Sequence, residues 1–227
     1  MPLISIIMPV LNEAKTLAAC LQPLQPLRQK NCELIVVDGG SADRSVEIAT
    51  PLADQVLVTG KGRAVQMNAG ARAARGEILW FLHGDTLPPA GAEELVRCAL
   101  SNPTRAWGRF DVQLSSPRLL LRVVAALMNA RSRLTGIATG DQGLFVRRSV
   151  FVQVGGYPEI PLMEDIALSR TLKRITRPVC LRQRLVTSSR RWENNGILKT
   201  ILLMWRLRLA YFLGVDPARL ARLYYRD

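Results

Sequence analysis

Two acidic residues stand side by side at Glu164-Asp165, just after the turn-rich stretch GGYPEIPLM. Such a pair at a helix start is either a general base in reach of a substrate hydroxyl or a complement to the helix dipole. The chain's single histidine, His83, is followed at once by Gly84 and Asp85. A divalent cation held with a diphosphate takes one or two carboxylates and leaves the rest to phosphate and water. Asp85 can supply one, and Gly84 lets the backbone approach closely. His83 fits three roles: second ligand, hydrogen-bond partner of a sugar or phosphate, or neutral core histidine. Lys61-Gly62-Arg63 gathers two cations at a strand-to-helix turn, with Gln66 and Asn68 on the turns that follow. That is a natural anion site, or else a solvated helix start. Asp38, followed by Gly39 and Gly40, offers an acceptor to a uracil imide N–H or a ribose hydroxyl; the rival reading is a turn aspartate. Arg190-Arg191-Trp192 supplies two guanidinium groups and an aromatic plane, which suit a leaving diphosphate and a stacked ring.

The elements that must position these groups alternate through the first half. Apolar runs at 4–10, 33–40, 55–60 and 77–83 read as strands, and 13–27, 42–50 and 63–75 as helices, with Ser41 as the cap of the second. Near-continuous apolar strands between helices imply an α/β fold with a mostly parallel sheet covered on both faces. In such sheets ligands sit beyond the carboxyl ends of the strands. Asn12 and Glu13, Asp38 to Gly40, Lys61 to Arg63, and His83 to Asp85 all fall there. Four polar or glycine-rich strand ends on one rim predict a binding site. The second half predicts strands at 106–114 and 181–189, a strand running into a helix at GLFVRRSVF, and helices at 117–133, 164–175 and 197–213. Arg190 to Trp192 close the last strand, and a terminal turn or two begins at Pro217. No polar linker divides the chain, so residues 1–227 read as one domain. Its nucleotide-binding half is 1–113 and its acceptor-binding half 114–227.

Composition bounds the function. Hydrophobic residues make up 48% of 227 residues, enough for a large core. The opening MPLISIIMPVLNEA lacks the basic start and cleavage site of a signal peptide. Four scattered cysteines without a C-x-x-C pair argue against a zinc site or a disulfide framework and for a reduced, cytoplasmic setting. Residues 1–113 carry 11 Lys and Arg against 11 Asp and Glu, whereas 114–227 carry 20 against 7, mostly arginine. A basic half beside a neutral half predicts an anionic partner. Nucleic acid is disfavoured, because no stacking platform repeats along the chain. The stretch 197–213 falls short of the ~20 residues a membrane span needs. It also holds Lys199, Arg206 and Arg208, each costing roughly 2.5–3.5 kcal/mol at a bilayer centre. Lys199 and Arg206, seven apart, share a face, while Arg208 points elsewhere. Two readings stay open: a core helix, or an amphipathic helix on an anionic membrane surface at the inner face. No G-x-G-x-x-G follows the first strand and no P-loop motif occurs, which excludes a dinucleotide fingerprint and a P-loop NTPase.

Taken in order, SIIMPVLNEAKTL, ELIVVDGGSADRS, FLHGDT, GGYPEIPLMED and RRW resemble the glycosyltransferase family 2 enzymes with the GT-A fold. KGRAVQMNAG, GDQGLFVRR and SSRRWENNG are similar to a small bacterial subgroup labelled arsenosugar-biosynthesis-type. The resemblance implies a nucleotide-diphosphate-sugar donor, UDP-linked by preference, and Mn2+ or Mg2+ as cofactor. It implies a small-molecule or lipid-linked acceptor and inversion at the anomeric carbon. Asp165 would be the base with Glu164 beside it, and Asp85 the metal ligand. Pro9, Asn12, Glu13, Asp38, Gly39, Lys61, Arg63, Gln66, Asn68, His83, Gly84, Arg190, Arg191 and Trp192 would surround the donor, and Asp141 and Gln142 the acceptor. Two departures stand out: His83 takes the place of the first acid of the D-x-D motif, and Ser188 that of the glutamine of Q-x-x-R-W. The second argues for single transfer rather than processive synthesis. A non-catalytic nucleotide-sugar or anionic-lipid binding module would keep the rim without needing the acidic pair. A nucleotidyltransferase would want a glycine-rich phosphate loop after the first strand.

Overall fold

The computed structural model describes residues 1–225. Eight strands make one sheet: β1 (Ile4–Val10), β2 (Cys32–Asp38), β3 (Gln55–Val58), β4 (Ile78–Phe81), β5 (Thr86–Leu87), β6 (Trp107–Leu114), β7 (Phe145–Arg147) and β8 (Val179–Thr187). Their order is β3-β2-β1-β4-β7-β6-β8-β5. The β3–β2, β2–β1, β1–β4 and β6–β8 pairs are parallel. The β4–β7, β7–β6 and β5–β8 pairs are antiparallel. The first half is therefore parallel, as its apolar runs predict, and β7 turns the sheet mixed. Since β7 runs against both neighbours, β6 and β8 point the same way as β1 and β4. The carboxyl ends of all four meet on one rim.

The helices are α1 (Leu17–Leu21), α2 (Gln25–Arg28), α3 (Ser45–Ala49), α4 (Arg63–Ala73), α5 (Ala92–Ala99), α6 (Leu119–Thr135), α7 (Arg148–Gln153), α8 (Glu164–Ile175), α9 (Arg190–Asn194), α10 (Ile197–Phe212) and α11 (Pro217–Tyr224). The strands send alternate side chains to two layers. Ile4, Ile6, Met8 and Val10 join Leu34, Val36 and Trp80 against Leu17, Leu21 and Val96. Ile7, Ile35, Val37, Leu79 and Phe81 pack on Met67, Ala71, Phe151, Leu168 and Leu172. Each fully buried aliphatic side chain contributes about 1.5–3 kcal/mol, so two-sided burial of β1 and β2 fixes the rim in place. Helix α4 lies so close to β1 that a Cβ on Gly70 would come within 2.5 Å of Ile7 Cγ2.

Several expected boundaries shift for local reasons. The helix expected over 13–27 breaks into α1, a 3-10 turn at Gln22–Leu24 and α2, because Pro23 and Pro26 each remove an N–H and crowd the preceding turn. Ser41 does not cap α3, which starts at Ser45; its hydroxyl donates to the Asp38 carboxylate instead. The Asp43 carboxylate takes the Ser45 N–H at 3.0 Å. Arg190 to Trp192 do not close a strand but lie on α9, after β8 ends at Thr187. Strand β5 and helix α5 appear without having been expected.

Candidate active site

A cleft of about 820 Å3 opens beyond the rim. One wall comes from strand ends and the start of α4: Pro9, Glu13, Lys61, Arg63, Gly84 and Asp85. The other comes from the 139–141 turn, the loop 159–163, α8 to α11 and the residues just after β8. It contains Asp141, Glu164, Asp165, Arg190, Arg191 and Trp192, so residues far apart in sequence share one cavity.

On the strand-end wall, Gly62 precedes α4 with φ +133 and no side chain caps the helix. The first N–H groups of α4 and the exposed Lys61 and Arg63 therefore face the cavity together, a favourable place for negative charge. Asp85 lines the same wall. No group of three or more His, Cys, Asp or Glu among the described residues could hold a metal ion by itself. One carboxylate suits a divalent cation whose other ligands are diphosphate oxygens and water, so Asp85 fits that role. His83 is otherwise engaged. Its Nδ1 lies 3.3 Å from Asp141 Oδ1, and its Nε2 edge faces Gly140 so closely that a Cβ there would sit 2.3 Å away. Arg190 Nη2 donates to Glu13 Oε1 at 3.2 Å. Arg191 Nη2 donates to the Tyr224 carbonyl at 3.0 Å, and its guanidinium lies 3.5 Å from the Tyr224 ring centroid.

The acidic pair opens α8. Met163, the residue before it, holds φ +70, a conformation that costs a non-glycine residue of order 1–3 kcal/mol and collects at functional sites. Asp165 Oδ2 accepts the Gly140 N–H at 2.9 Å, and Oδ1 accepts the Ile166 N–H at 2.7 Å. Both oxygens are thus oriented by backbone donors, and each keeps a lone pair for a substrate hydroxyl. Glu164 is buried. Burial, and then the Asp165 charge, raise its carboxyl above the usual range. Burial works to raise Asp141 as well, but the His83 hydrogen bond and the charges of His83, Arg63 and Arg208 hold it below that range. Burial pushes the Tyr157 phenol well up, helped by Asp165 and Glu164.

Five of the expected residues do not line the cleft. Asp38 is buried, and its carboxylate accepts the Gly40 and Ser41 N–H groups at 2.8 and 2.7 Å. Gly39 rests on the Gln66 amide. Asn12, with φ +54, ties the first loop to the next by accepting the Ala42 N–H at 2.9 Å. Asn68 holds both backbone groups of Tyr157, at 2.8 and 2.9 Å. Gln142 Oε1 accepts the Thr139 N–H at 3.1 Å. Gln66 borders the cavity, but its amide donates to the Val10 and Val37 carbonyls at 2.8 and 2.7 Å. It thereby spaces the ends of β1 and β2. Tyr224, Tyr225, Met204, Leu207, Arg208 and the loop 159–163 line the cleft without having been expected.

The family model described as "Glycosyl transferase family 2" matches residues 5–147, well over half of the chain. The chain belongs to glycosyltransferase family 2. The family 2 match covers the strand-end wall and ends at β7, so Glu164, Asp165 and the α9 arginines lie beyond it. An "Uncharacterized glycosyltransferase" of Haemophilus influenzae is 37% identical over 92 residues, covering 37% of each chain. A "PGL/p-HBAD biosynthesis glycosyltransferase" of Mycobacterium bovis is 37% identical over 91 residues, covering 37% of this chain and 36% of its own. The chain thus aligns with about a third of the length of the curated relatives it matches. Among solved structures, the mannosyltransferase PcManGT of Pyrobaculum calidifontis, in complex with GDP-Man and Mn2+, aligns with all of this chain and 65% of its own. The TM-score is 0.65 and the identity 24%. S. aureus TarS in complex with UDP-GlcNAc aligns over 82% of this chain and 58% of its own, with a TM-score of 0.66 and 17% identity. These similarities show a shared GT-A fold.

Proposed function

We propose that this family 2 chain transfers a sugar from a nucleotide-diphosphate sugar, UDP-linked by preference, to an acceptor hydroxyl with inversion at the anomeric carbon. The observation that carries the reading is the placement of Asp165. Two backbone N–H groups fix its carboxylate across one cavity from a cationic wall with an uncapped helix start. Lys61, Arg63 and the first turn of α4 bind the diphosphate. Asp85, with diphosphate oxygens and water, would hold Mn2+ or Mg2+, and such a cation neutralises the charge that develops on a leaving diphosphate. Asp165 takes the proton of the acceptor hydroxyl, that oxygen bonds to the anomeric carbon, and the bond to the nucleoside diphosphate breaks. Buried Glu164, its carboxyl raised by burial and by the Asp165 charge, lies directly beside the base. Arg190 and Arg191 stand on the far wall to receive the leaving diphosphate. The neighbours bound to GDP-Man with Mn2+ and to UDP-GlcNAc support a nucleotide-sugar donor.

Asp165→Asn tests this directly. A general base contributes about 100- to 10,000-fold, so turnover falls by that factor while donor affinity, measured by calorimetry, stays within about twofold. Near-normal turnover in the variant rules out Asp165 as the base. A panel of UDP- and GDP-sugars with and without Mn2+ tests base preference and metal dependence. Tight nucleotide binding with neither transfer nor donor hydrolysis favours the non-catalytic module.

The reading extends to an anionic membrane surface. No helix among the described residues is long and apolar enough to cross a membrane. Helix α10 turns Met204, Leu207 and Arg208 to the cleft and leaves Leu198, Leu202, Trp205, Leu209 and Phe212 exposed along its outer side. Leu119, Val123, Leu127 and Leu134 do the same on α6, which packs against the start of α10 through Leu121, Val124, Ile197 and Ile201. The exposed Arg118, Arg122, Lys199 and Arg206 flank these stripes. Apolar stripes rimmed by cations fit the interface of anionic lipid, whereas a second copy of so basic a half would repel them.

A further inference from the structure

We propose that Arg131 and Arg208 form a subsite for an anionic group of the acceptor, a phosphoryl or carboxylate group, beside Asp165. The inference rests on the glycosyl-transfer reading of the cleft and names the acceptor's chemistry. Arg208 reaches the cavity from α10. Arg131 stands on α6, partly buried, with Nε and Nη2 shut away from solvent and lacking any hydrogen-bond partner. Neither guanidinium has a hydrogen bond or ion pair among the described residues. Burial comes first in lowering the pKa of Arg131, to about 10, and the charge of Arg208 comes second. Burial likewise lowers Arg208, with only Asp165 and Asp141 opposing it. Helices α6 and α10 pack together through Leu121, Val124, Ile197 and Ile201, and the cation each carries stands in a setting that disfavours charge.

The neighbouring arginines show what pairing looks like here. Arg109 is fully buried but donates to the Asp111 carboxylate and to the Phe110 and Asn129 carbonyls. Arg133 donates to the other Asp111 oxygen at 2.7 Å and to the Cys180 carbonyl at 3.1 Å. Both Asp111 oxygens are thus taken up by Arg109 and Arg133, and neither reaches Arg131. The two carboxylates that face Arg208 also have partners: Asp165 takes the Gly140 and Ile166 N–H groups, and Asp141 lies against His83. A buried charge without a counter-ion is unfavourable, and an incoming anion would satisfy both guanidinium groups at once. Planar forks arriving from two helices match a tetrahedral phosphoryl or a planar carboxylate group. The donor diphosphate is already served by Lys61, Arg63 and the start of α4, with Arg190 and Arg191 to receive it as it leaves, so an anion at Arg131 and Arg208 is assigned to the acceptor.

The test is calorimetric. UDP with Mg2+ is first bound to saturation, and inorganic phosphate is then titrated into the complex, with acetate in a parallel arm. The wild-type chain takes up phosphate saturably, and Arg208→Gln weakens that uptake at least tenfold while UDP affinity is unchanged. Arg131→Gln does the same, and circular dichroism melting confirms that each variant is folded. If Arg131→Gln does not fold, Arg208→Gln and Arg208→Lys decide, the lysine restoring part of the affinity. Acetate uptake in place of phosphate assigns the subsite to a carboxylate. Absence of phosphate and acetate uptake, or uptake equal in Arg208→Gln, overturns the proposal and leaves the donor reading standing. Absence of UDP binding overturns the donor reading instead. The phosphate arm is then run on the free chain, where loss in Arg208→Gln but not in Arg63→Gln upholds the subsite and equal uptake overturns it.

Discussion

Gly140 touches both His83 and the proposed base Asp165, and Gly140→Ala perturbs them together. A Cβ at this position would lie 2.3 Å from His83 Nε2 and 2.4 Å from Cε1, where real contacts stay above 3.0 Å. The obstacle is a ring packed among its neighbours, not the end of a flexible chain, so either the imidazole or the turn must give way. If the imidazole moves, its 3.3 Å contact with Asp141 is lost. If the turn moves, the Gly140 N–H leaves Asp165 Oδ2, now 2.9 Å away. Overpacking of this kind costs about 1–3 kcal/mol, and a chain of this size loses about 2–4 °C of Tm per kcal/mol. A displacement of about 1 Å at reacting groups costs on the order of 100-fold in rate. The expected variant therefore melts about 2–12 °C lower and turns over about two orders of magnitude more slowly, with donor affinity retained. Gly60→Ala is the control, since a Cβ there meets nothing within 4 Å. Melting by calorimetry and nucleoside-diphosphate release give the two readouts. If Gly140→Ala matches Gly60→Ala in both, the Gly140–His83–Asp165 linkage is wrong.

Glu164→Gln tests the buried acid. Its raised carboxyl stabilises the fold at pH below the ordinary carboxylate range and loses that contribution as pH rises through the shifted value. The Tm of the glutamine variant relative to wild type should therefore climb between acid and neutral pH, and a difference that ignores pH would contradict the assignment. Gln66→Ala removes two buried hydrogen bonds, at about 1–3 kcal/mol, seen as a Tm about 2–12 °C lower; an unchanged Tm would show that the amide does not hold β1 and β2. Trp205→Glu should abolish flotation with vesicles rich in anionic lipid and leave Tm unchanged. Retained flotation, or a wild-type dimer in light scattering without lipid, counts against the membrane face.

How much was legible in the sequence depends on how local the cause was. Helix α8 was expected over 164–175 and occupies Glu164–Ile175, because Glu164 and Asp165 favour a helix start and Lys173 and Arg174 a helix end. The strand ends were readable since burial on both faces leaves only apolar residues between polar stops. Strand β5 was not, because Thr86 and Leu87 become a strand only by meeting Thr187 and Val186, about a hundred residues on. The roles of Gln66 and Asn68 were hidden for the same reason: an amide near an anion site reads as a ligand until its distant carbonyl partners are known. Arg208 did leave a signal. It falls out of register with Lys199 and Arg206, which are exposed while Arg208 turns inward. Arg131 gave none, because its lack of partners emerges only from the folded arrangement around α6.

The two walls of the cleft differ in how they are held. The strand-end wall hangs on ladder pairing and two-sided burial, so most changes there disturb the sheet itself. On the facing wall α8 is anchored to the sheet through Leu168 and Leu172, whereas α9 to α11 rest on smaller clusters around Leu162, Leu207 and Leu220 and around Leu121 and Val124. Substitutions on α10 and α11 can reshape the acceptor side while the sheet and the Gly140–Asp165 bond stay as they are. The scaffold separates what must remain constant from what can diversify, and libraries for new acceptors belong at Met204, Leu207, Arg208 and Tyr224 rather than along the rim.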